Sequence, residues 1–222
     1  MLLSRRAPPA LPTDFLRWPA AWARPAFRRR LLLGGLLLLA LAAWVPSYFA
    51  YLQARPGVVL PDPLLAGLPA HDVSVPTFAL IYLSIGATLG YLLRRPGLLL
   101  HSLWAYLLLH AFRTLTLWLL PLDPPAGLLL LHDPFVDRFL YGGPTPITKD
   151  LFFSGHTATL FLLALSVRGR GKRGLLLAAT VAVGGLVLVQ HTHYTYDVLA
   201  APFFAGLSYW LAGRLVRPAT AA

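Results

Sequence analysis

Long apolar runs are the feature that most restricts what this chain can fold into. Six stretches each contain enough mostly apolar residues, about 20, to cross the hydrocarbon layer of a bilayer as an α-helix. These stretches are approximately 31–52, 76–93, 96–120, 150–167, 174–190 and 194–212. Only 12% of the 222 residues are charged, whereas about a quarter are charged in typical soluble domains. The sequence therefore predicts an all-α, multi-pass integral membrane protein with six transmembrane helices.

The basic residues lie almost entirely on one side of the predicted spans. Seven are in the N-terminal segment, two follow the second span, four follow the fourth and two lie in the C-terminal tail, so that 15 of the 19 share one side. Loops rich in Lys and Arg stay in the cytoplasm, and both termini are therefore predicted to be cytoplasmic. Topology thus explains the formal charge of +11, and no binding to nucleic acid is predicted.

The spans divide the chain into a basic cytoplasmic segment, 1–30, a transmembrane domain, 31–213, and a cytoplasmic tail, 214–222. Aromatic residues among the arginines of the first segment suit a position on the inner leaflet, and a partly ordered tail that only sets topology is an equal alternative. The chain has no Cys, which excludes disulfides and thiolate chemistry. A compact chain without Cys fits a bacterial origin, in which case the membrane is the inner membrane.

Polar residues gather at the outer ends of the fourth to sixth spans, where ionisable groups are costly and are candidates for function. Asp150 precedes the sequence Ser154-Gly155-His156-Thr157 at the start of the fourth span. A helix N-terminus offers unpaired N–H groups that suit a phosphate, and glycine lets a ligand approach the backbone closely. A plain N-cap role for Ser154 is the alternative, and it is favoured when this motif is considered alone.

The second cluster is the stretch from His191 to Asp197. His193 and Asp197 are four residues apart and would share a face of a helix. A carboxylate bonded to one imidazole nitrogen makes the other more basic, as a nucleophile or general base requires. The alternatives are a buried ion pair and, less favoured without a third cluster, a metal site. With His156 opposite His193, the two clusters together suit double-displacement transfer of a phosphoryl group.

These clusters resemble the two signature motifs of the sphingomyelin synthase family, which belongs to the phosphatidic-acid-phosphatase type 2 superfamily of lipid phosphatases and transferases. The stretches that carry the resemblance are 150–157 and 193–198. Weaker matches are Leu60-Pro61-Asp62-Pro63, the pair Arg94-Arg95 and the stretch 112–116. The resemblance covers about 31–212 and implies a bundle of six transmembrane helices with both termini in the cytoplasm, as the charge pattern also predicts.

The resemblance implies a phosphotransferase that moves a head group from a glycerophospholipid to a ceramide-like acceptor. His193, oriented by Asp197, would attack phosphorus and form a phosphohistidine, while His156 would protonate the departing diacylglycerol. Arg113 becomes the leading candidate for binding the phosphate, because Val187 stands where the broader superfamily has an arginine. Neither a cofactor nor a metal is implied.

Further residues are predicted to bind the substrate, namely Asp150, Ser154, Gly155, His191 and Tyr194. The alternative for Asp150 is a charge that stabilises the helix start, and for His191 a surface hydrogen bond. For Tyr194, an anchor at the membrane interface is the favoured interpretation. His110 could reach the same cavity as Arg113, although a core histidine bonded to a neighbouring helix is the favoured interpretation.

Two other functions stay open. A hydrolase of the same fold, such as a phospholipase C or a lipid phosphatase, would share every catalytic residue and use water as the acceptor. A lipid transporter or scaffold without enzymatic activity would form no phosphohistidine. Membrane lipids are the predicted partners, and the site is predicted to face the extracytoplasmic side. The head group, the acceptor lipid and assembly into a homo-oligomer are left open.

Overall fold

A computed structural model describes residues 18–132 and 147–216, and these ranges contain eight α-helices. The helices are α1 (Trp18–Trp22), α2 (Pro25–Ala54), α3 (Pro63–Ala66), α4 (Ser74–Leu93), α5 (Pro96–Leu119), α6 (Gly155–Ser166), α7 (Arg170–Val189) and α8 (Thr195–Val216). Within the described ranges the β-structure consists of one isolated bridge, between Val58 and Leu122. The prediction of an all-helical fold is confirmed.

Five of the described helices, α2, α4, α5, α7 and α8, are long and apolar enough to cross a membrane. The fourth predicted span, 150–167, is helical only over Gly155–Ser166. That helix is about 18 Å long at 1.5 Å per residue, which is shorter than the hydrocarbon layer of about 30 Å. The helices support an integral membrane protein, and the number of six spans stays a prediction.

Local sequence explains where several helices begin. Pro25 and Pro96 occupy the first turns of α2 and α5, where the missing N–H of proline costs no hydrogen bond. Asp62 and Ser154 cap α3 and α6 by accepting backbone amides from the first turn. Because its start is set by Pro25, α2 extends into the basic segment that was predicted to precede the first span.

The short helix α6 lies at the centre of the bundle and contacts α4, α5, α7 and α8. The contact between α5, α6 and α8 is rich in small residues, and Ala105, Ala158, Ala201 and Ala205 are fully buried there. Small side chains let helix backbones approach closely, and such packing is a main source of stability between helices in lipid. The contact holds the start of α6 beside the start of α8.

Helix α2 stands apart from this core. It packs against α1 and α5, and its buried residues are Phe27, Gly34, Tyr48 and Leu52. Much of the remaining surface is exposed leucine, including Leu32, Leu33, Leu36 and Leu39. Hydrocarbon tails are as apolar as leucine, so this surface suits contact with lipid, and the space between α2 and α4 leads into a cavity.

Basic residues collect at one end of the bundle. Nη1 of Arg30 donates to the carbonyl of Val216 at 2.7 Å, and Nε1 of Trp18 donates to the carbonyl of Leu93 at 2.7 Å. These bonds join the start of α2 to the end of α8, and α1 to the end of α4. The starts of α6 and α8, with the candidate catalytic residues, lie at the other end.

The cytoplasmic position of the basic end stays a prediction, as does the division of the chain at residues 30 and 213. Residues 1–17 and 217–222 lie outside the described ranges. The proposed surface position of the first segment and the cytoplasmic tail therefore fall mostly on parts of the chain that the structure does not describe.

Candidate active site

His193 and Asp197 form the hydrogen-bonded pair that their spacing predicts. Nδ1 of His193 lies 3.2 Å from Oδ2 of Asp197, and the two side chains are only 3% and 0% exposed. An ionised carboxylate can only accept, so Nδ1 carries the proton and Nε2 holds the lone pair that could attack an electrophile.

The local geometry of this pair differs from the predicted helical face. His193 precedes α8, which begins at Thr195, so the two residues do not share a continuous helix. Oδ2 of Asp197 instead folds back over the first turn and also accepts the backbone amide of Tyr194 at 3.0 Å. The pair therefore forms because Asp197 binds the turn that leads into α8.

His156 lies in the first turn of α6 and faces His193. Their ring centroids are 6.3 Å apart, with an angle of 68° between the ring planes. The two rings are thus neighbours, and a group at their shared edge could contact a nitrogen of each. The backbone amide of Ser154 donates to the carbonyl of Asp197 at 3.1 Å. The structure thus brings the two sequence clusters together through both side chains and backbone.

Ser154 is fully buried and has its side-chain contacts within α6. Its Oγ accepts the backbone amide of Thr157 at 3.5 Å and lies 3.1 Å from the hydroxyl of that residue. These contacts support the N-cap interpretation. The contribution of Ser154 to the site is therefore to define where α6 begins.

Arg113 reaches from α5 to the segment that precedes α6. Its guanidinium donates to the carbonyl of Phe153 and forms an ion pair with the carboxylate of Asp150. Arginine has five N–H donors in a planar fork, so these contacts leave donors for a phosphate. Arg113 is only 6% exposed, and it supplies a positive charge next to the start of α6.

Gly155 permits this position of Arg113. A Cβ atom at residue 155 would lie 2.8 Å from Cζ and 2.9 Å from Nη1 of Arg113, closer than side-chain contacts allow. Any larger residue here would therefore require the guanidinium to shift away from the backbone of α6. This close approach is made by a protein side chain, whereas the sequence predicted a ligand at this position.

A cavity of about 340 Å³ extends between α2, α4, α5 and α6. Its polar lining includes His110, Arg113, Asp150 and His156, and the rest consists largely of aliphatic and aromatic side chains. A mostly apolar cavity with a few convergent polar groups is typical of a ligand-binding site. His193 is not among the lining residues, and its ring is next to that of His156, which is.

His191, a predicted substrate-binding residue, does not line this cavity. Its Nδ1 lies 2.9 Å from the carbonyl oxygen of Ala126, and its Nε2 lies 3.0 Å from that of Leu68. With both ring nitrogens held by loop carbonyls, His191 does not converge with His193. Over residues 18–132 and 147–216, no group of three or more His or Asp side chains is placed to hold a metal ion.

Tyr194 is also directed into the surrounding loops and is 1% exposed. Its hydroxyl donates to the carbonyl of Asp123 at 2.8 Å and accepts the amide of Leu60 at 3.1 Å. Burial raises the pKa of this hydroxyl above its ordinary value. These contacts support a structural role for Tyr194, as the two loop carbonyls do for His191.

Asp62 supports the site through a contact that the sequence did not predict. Its carboxylate accepts the backbone amide of Thr195 at 2.6 Å and the hydroxyl of that residue at 3.0 Å. It also accepts the amide of Leu65 at 3.1 Å, so that one side chain caps both α3 and α8. Burial raises the pKa of Asp62, but the hydrogen bonds from Thr195 and Leu65 outweigh it and lower the pKa below 3.8.

The sequence contains a signal for only one of these two caps. Asp62 followed by Pro63 is a typical helix start, and it predicts the contact with α3. The contact with Thr195 crosses 133 positions of the chain and depends on how the loop after α2 packs against α8. The same loop includes the stretch that weakly resembles a family motif, 60–63.

The fold and the site define a helical membrane protein in which two histidines and a carboxylate meet beside a largely apolar cavity. Residues 149–214 match the family model described as PAP2 superfamily C-terminal. This match includes every candidate catalytic residue and supports a place in the PAP2 superfamily. It thereby supports an enzyme of the lipid phosphatase or phosphotransferase type that acts on membrane lipids.

The match covers less than a third of the chain. Helices α2, α4 and α5, which form much of the cavity wall and carry Arg113, lie outside it. No curated protein and no solved structure matched the chain. The sphingomyelin synthase branch and a bacterial origin therefore stay predictions.

Proposed function

We propose that this protein moves the phosphate-bearing head group of a glycerophospholipid to a ceramide-like acceptor and releases diacylglycerol. The observation that carries the proposal is the convergence of His156 with the His193–Asp197 pair beside the apolar cavity. The PAP2 match supports chemistry at phosphorus. The resemblance of both motifs to the sphingomyelin synthase family supports transfer to a lipid hydroxyl.

In the first half of the reaction, Nε2 of His193 attacks the phosphorus of the donor lipid. The bond between phosphorus and the diacylglycerol oxygen breaks, and His156 in its protonated form gives a proton to that oxygen. Diacylglycerol leaves, and the head-group phosphate stays on His193 as a phosphohistidine. Asp197 stabilises the positive charge that develops on the His193 ring and keeps the proton on Nδ1.

In the second half, the neutral His156 accepts the proton of the primary hydroxyl of the acceptor lipid. The hydroxyl oxygen attacks phosphorus, the phosphorus–nitrogen bond breaks, and His193 recovers its lone pair. His156 ends the cycle protonated, as it began, so the transfer needs no other reactant. Water in place of the lipid hydroxyl would turn the same steps into hydrolysis.

Negative charge on the phosphate is stabilised from two directions. Arg113 supplies a full positive charge. Its N–H donors that do not bind Asp150 or Phe153 can bind the phosphate. The start of α6 supplies the partial positive charge of a helix N-terminus. Groups that are held in place before the reaction stabilise a transition state without the cost of reorganisation. Asp150 therefore acts by positioning Arg113, and Gly155 by leaving room for it.

The reaction is proposed to take place at the extracytoplasmic face of the membrane. The candidate site lies at the end of the bundle opposite to most of the basic residues, which the positive-inside rule assigns to the cytoplasm. In a bacterial cell this face would be the periplasmic side of the inner membrane. The apolar space between α2 and α4 would receive the acyl chains of the donor and acceptor lipids.

The test is to identify the lipid products of the purified, full-length protein by mass spectrometry. Donor lipids with choline, ethanolamine, inositol or glycerol head groups are supplied one at a time, with and without ceramide. The expected products are diacylglycerol and a phosphosphingolipid. Diacylglycerol with only free phosphoester, even in the presence of ceramide, would overturn the transferase in favour of a hydrolase.

A second measurement tests the intermediate. A donor labelled on phosphorus should leave an acid-labile label on the wild-type protein and none on the His193→Ala variant. His71→Ala, which changes an exposed histidine of a loop, is the matched control and should label normally. Absence of both label and lipid product in the wild type would favour a transporter or scaffold.

A further inference from the structure

His110 lies in the cavity, one helical turn away from Arg113. Both residues belong to α5 and line the same space. A separation of three residues corresponds to about 4.5 Å along the helix axis. Because Arg113 is nearer to the end of α5 that carries the candidate site, His110 lies deeper in the bundle. A lipid whose phosphate group reaches Arg113 would therefore place its backbone near His110.

The hydrogen bonding of His110 defines which of its nitrogens carries the proton. Nδ1 lies 3.1 Å from the carbonyl oxygen of Tyr106, one turn earlier on α5. A carbonyl oxygen can only accept, so Nδ1 must be the donor. In a neutral imidazole the other nitrogen, Nε2, is then an acceptor with a lone pair. Among residues 18–132 and 147–216, no hydrogen-bond partner of this Nε2 is present.

The cavity around the lone pair of Nε2 is lined mostly by apolar side chains. The His110 ring packs against Tyr106, with ring centroids 4.1 Å apart, and the nitrogen that is not bonded to α5 lies on the side of the ring away from the helix backbone. A polar group without a partner in apolar surroundings costs free energy. A ligand that brings a hydrogen-bond donor to this depth would remove that cost, whereas one that brings only acceptors would not.

The two lipid classes of the proposed reaction differ in this respect. A ceramide-like lipid carries an amide N–H and a secondary hydroxyl next to its primary hydroxyl, and both can donate. The ester groups of a diacyl glycerolipid can only accept. We propose that His110 is a specificity-determining residue that recognises the acceptor lipid through a hydrogen bond from its amide or secondary hydroxyl to Nε2. This inference rests on the proposed function and names the residue that selects the acceptor class.

The experiment compares His110→Phe with His110→Gln in the purified, full-length protein. Phenylalanine keeps a planar ring but has no acceptor, whereas the side-chain oxygen of glutamine can take the place of Nε2. The KM is measured for ceramide and for two analogues, one methylated on the amide nitrogen and one without the secondary hydroxyl. Loss of a neutral hydrogen bond is expected to change the KM roughly two- to tenfold.

The wild type is expected to prefer ceramide over at least one analogue by that factor. His110→Phe should raise the KM for ceramide to the value for that analogue, and His110→Gln should restore the preference. Equal KM values of the wild type for ceramide and both analogues would overturn the inference. The same conclusion follows if His110→Phe keeps the full wild-type preference.

A binding measurement separates this inference from the proposed function. A photoactivatable ceramide is crosslinked to the protein in detergent, and unlabelled ceramide and the two analogues compete with it. One outcome is that no transfer is found, but ceramide competes better than an analogue, and only when residue 110 carries a hydrogen-bond acceptor. The inference then holds and the proposed function fails. If transfer is found and competition does not depend on residue 110, the proposed function holds and the inference fails.

Discussion

The backbone amide of Ser154 donates a hydrogen bond of 3.1 Å to the carbonyl oxygen of Asp197. This bond joins the residue that caps α6 to the carboxylate residue that orients His193. His156 follows Ser154 by two residues, so the bond sets the distance between the two histidines through the backbone. Changes at the starts of α6 and α8 are therefore expected to act on the same chemistry.

Asp197→Asn should lower turnover by about 10²- to 10⁴-fold, the usual contribution of acid–base assistance. The amide keeps the shape of the carboxylate but can present an N–H to Nδ1, which favours the wrong tautomer of His193.

His193→Ala should abolish turnover and the phosphohistidine. Initial rates of diacylglycerol release provide the measurement, with His71→Ala as the control. Normal turnover of a folded His193→Ala variant would exclude the proposed mechanism.

Gly155→Ala should reduce activity roughly tenfold or more, because the new methyl group displaces the guanidinium of Arg113 from the phosphate site. The added Cβ would stand 2.8 Å from Cζ of Arg113. Gly185→Ala is the matched control, since a Cβ there meets nothing within 4 Å. The two variants are compared by kcat/KM and thermal unfolding. Equal activity of both variants would contradict the assigned role of Gly155.

Asp62→Ala should destabilise the start of α8 by about 1 kcal/mol, the typical cost of losing an N-cap. If the bond from the Thr195 hydroxyl carries part of this effect, Thr195→Val should add little in the Asp62→Ala background. Thermal unfolding of the single and double variants in detergent measures the coupling. Full additivity of the two changes would show that the bond from the Thr195 hydroxyl contributes nothing, because valine keeps the backbone amide bond to Asp62.

The stabilising effect of Asp62 should also depend on pH. Hydrogen bonds lower the pKa of Asp62 in the folded protein below 3.8, so the folded state favours the carboxylate. The resulting stabilisation is fully present above the unfolded pKa and is lost as the pH falls through the folded pKa. The difference in Tm between wild type and Asp62→Asn should therefore be constant near neutral pH and shrink below about pH 4. A difference that grows on acidification would contradict this sign.

Ile85→Trp should block the cavity and raise the KM for the donor lipid, because Ile85 lines the space between α2 and α4. Leu83 belongs to the same helix, α4, and its side chain is 72% exposed. Leu83→Trp is therefore the control and should leave the kinetics unchanged. Both variants are assayed over a range of donor concentrations in mixed micelles. Identical kinetics for the two variants would mean that the substrate does not occupy this cavity.

Several features of the site follow from short stretches of sequence. The His193–Asp197 spacing, the capping Ser154 and the glycine that follows it all depend on residues within one or two helical turns. The match to the PAP2 family model covers these same stretches. The helical fold and the position of most basic residues at the end away from the candidate site were predictable for a similar reason, since apolar length and charge are local properties.

Other features depend on which distant segments pack together. Arg113 meets Asp150 across 37 positions, and Asp62 meets Thr195 across 133. His191, two residues from His193, was predicted to shape the substrate pocket, but its ring is held by the carbonyls of Ala126 and Leu68. Neither composition nor periodicity indicates which loop will supply such a partner.

The sequence by itself determined that this chain forms apolar helices and that His156, His193 and Asp197 lie at or just before helix starts. Helix formation in lipid depends on runs of neighbouring residues whose backbone bonds are satisfied locally. Only the tertiary structure decided that α6 is short and central, that Arg113 rests against Gly155, and that His110 opens into a cavity beside α2. Those outcomes depend on side-chain volume and on hydrogen bonds between segments far apart in the chain, which no local pattern encodes.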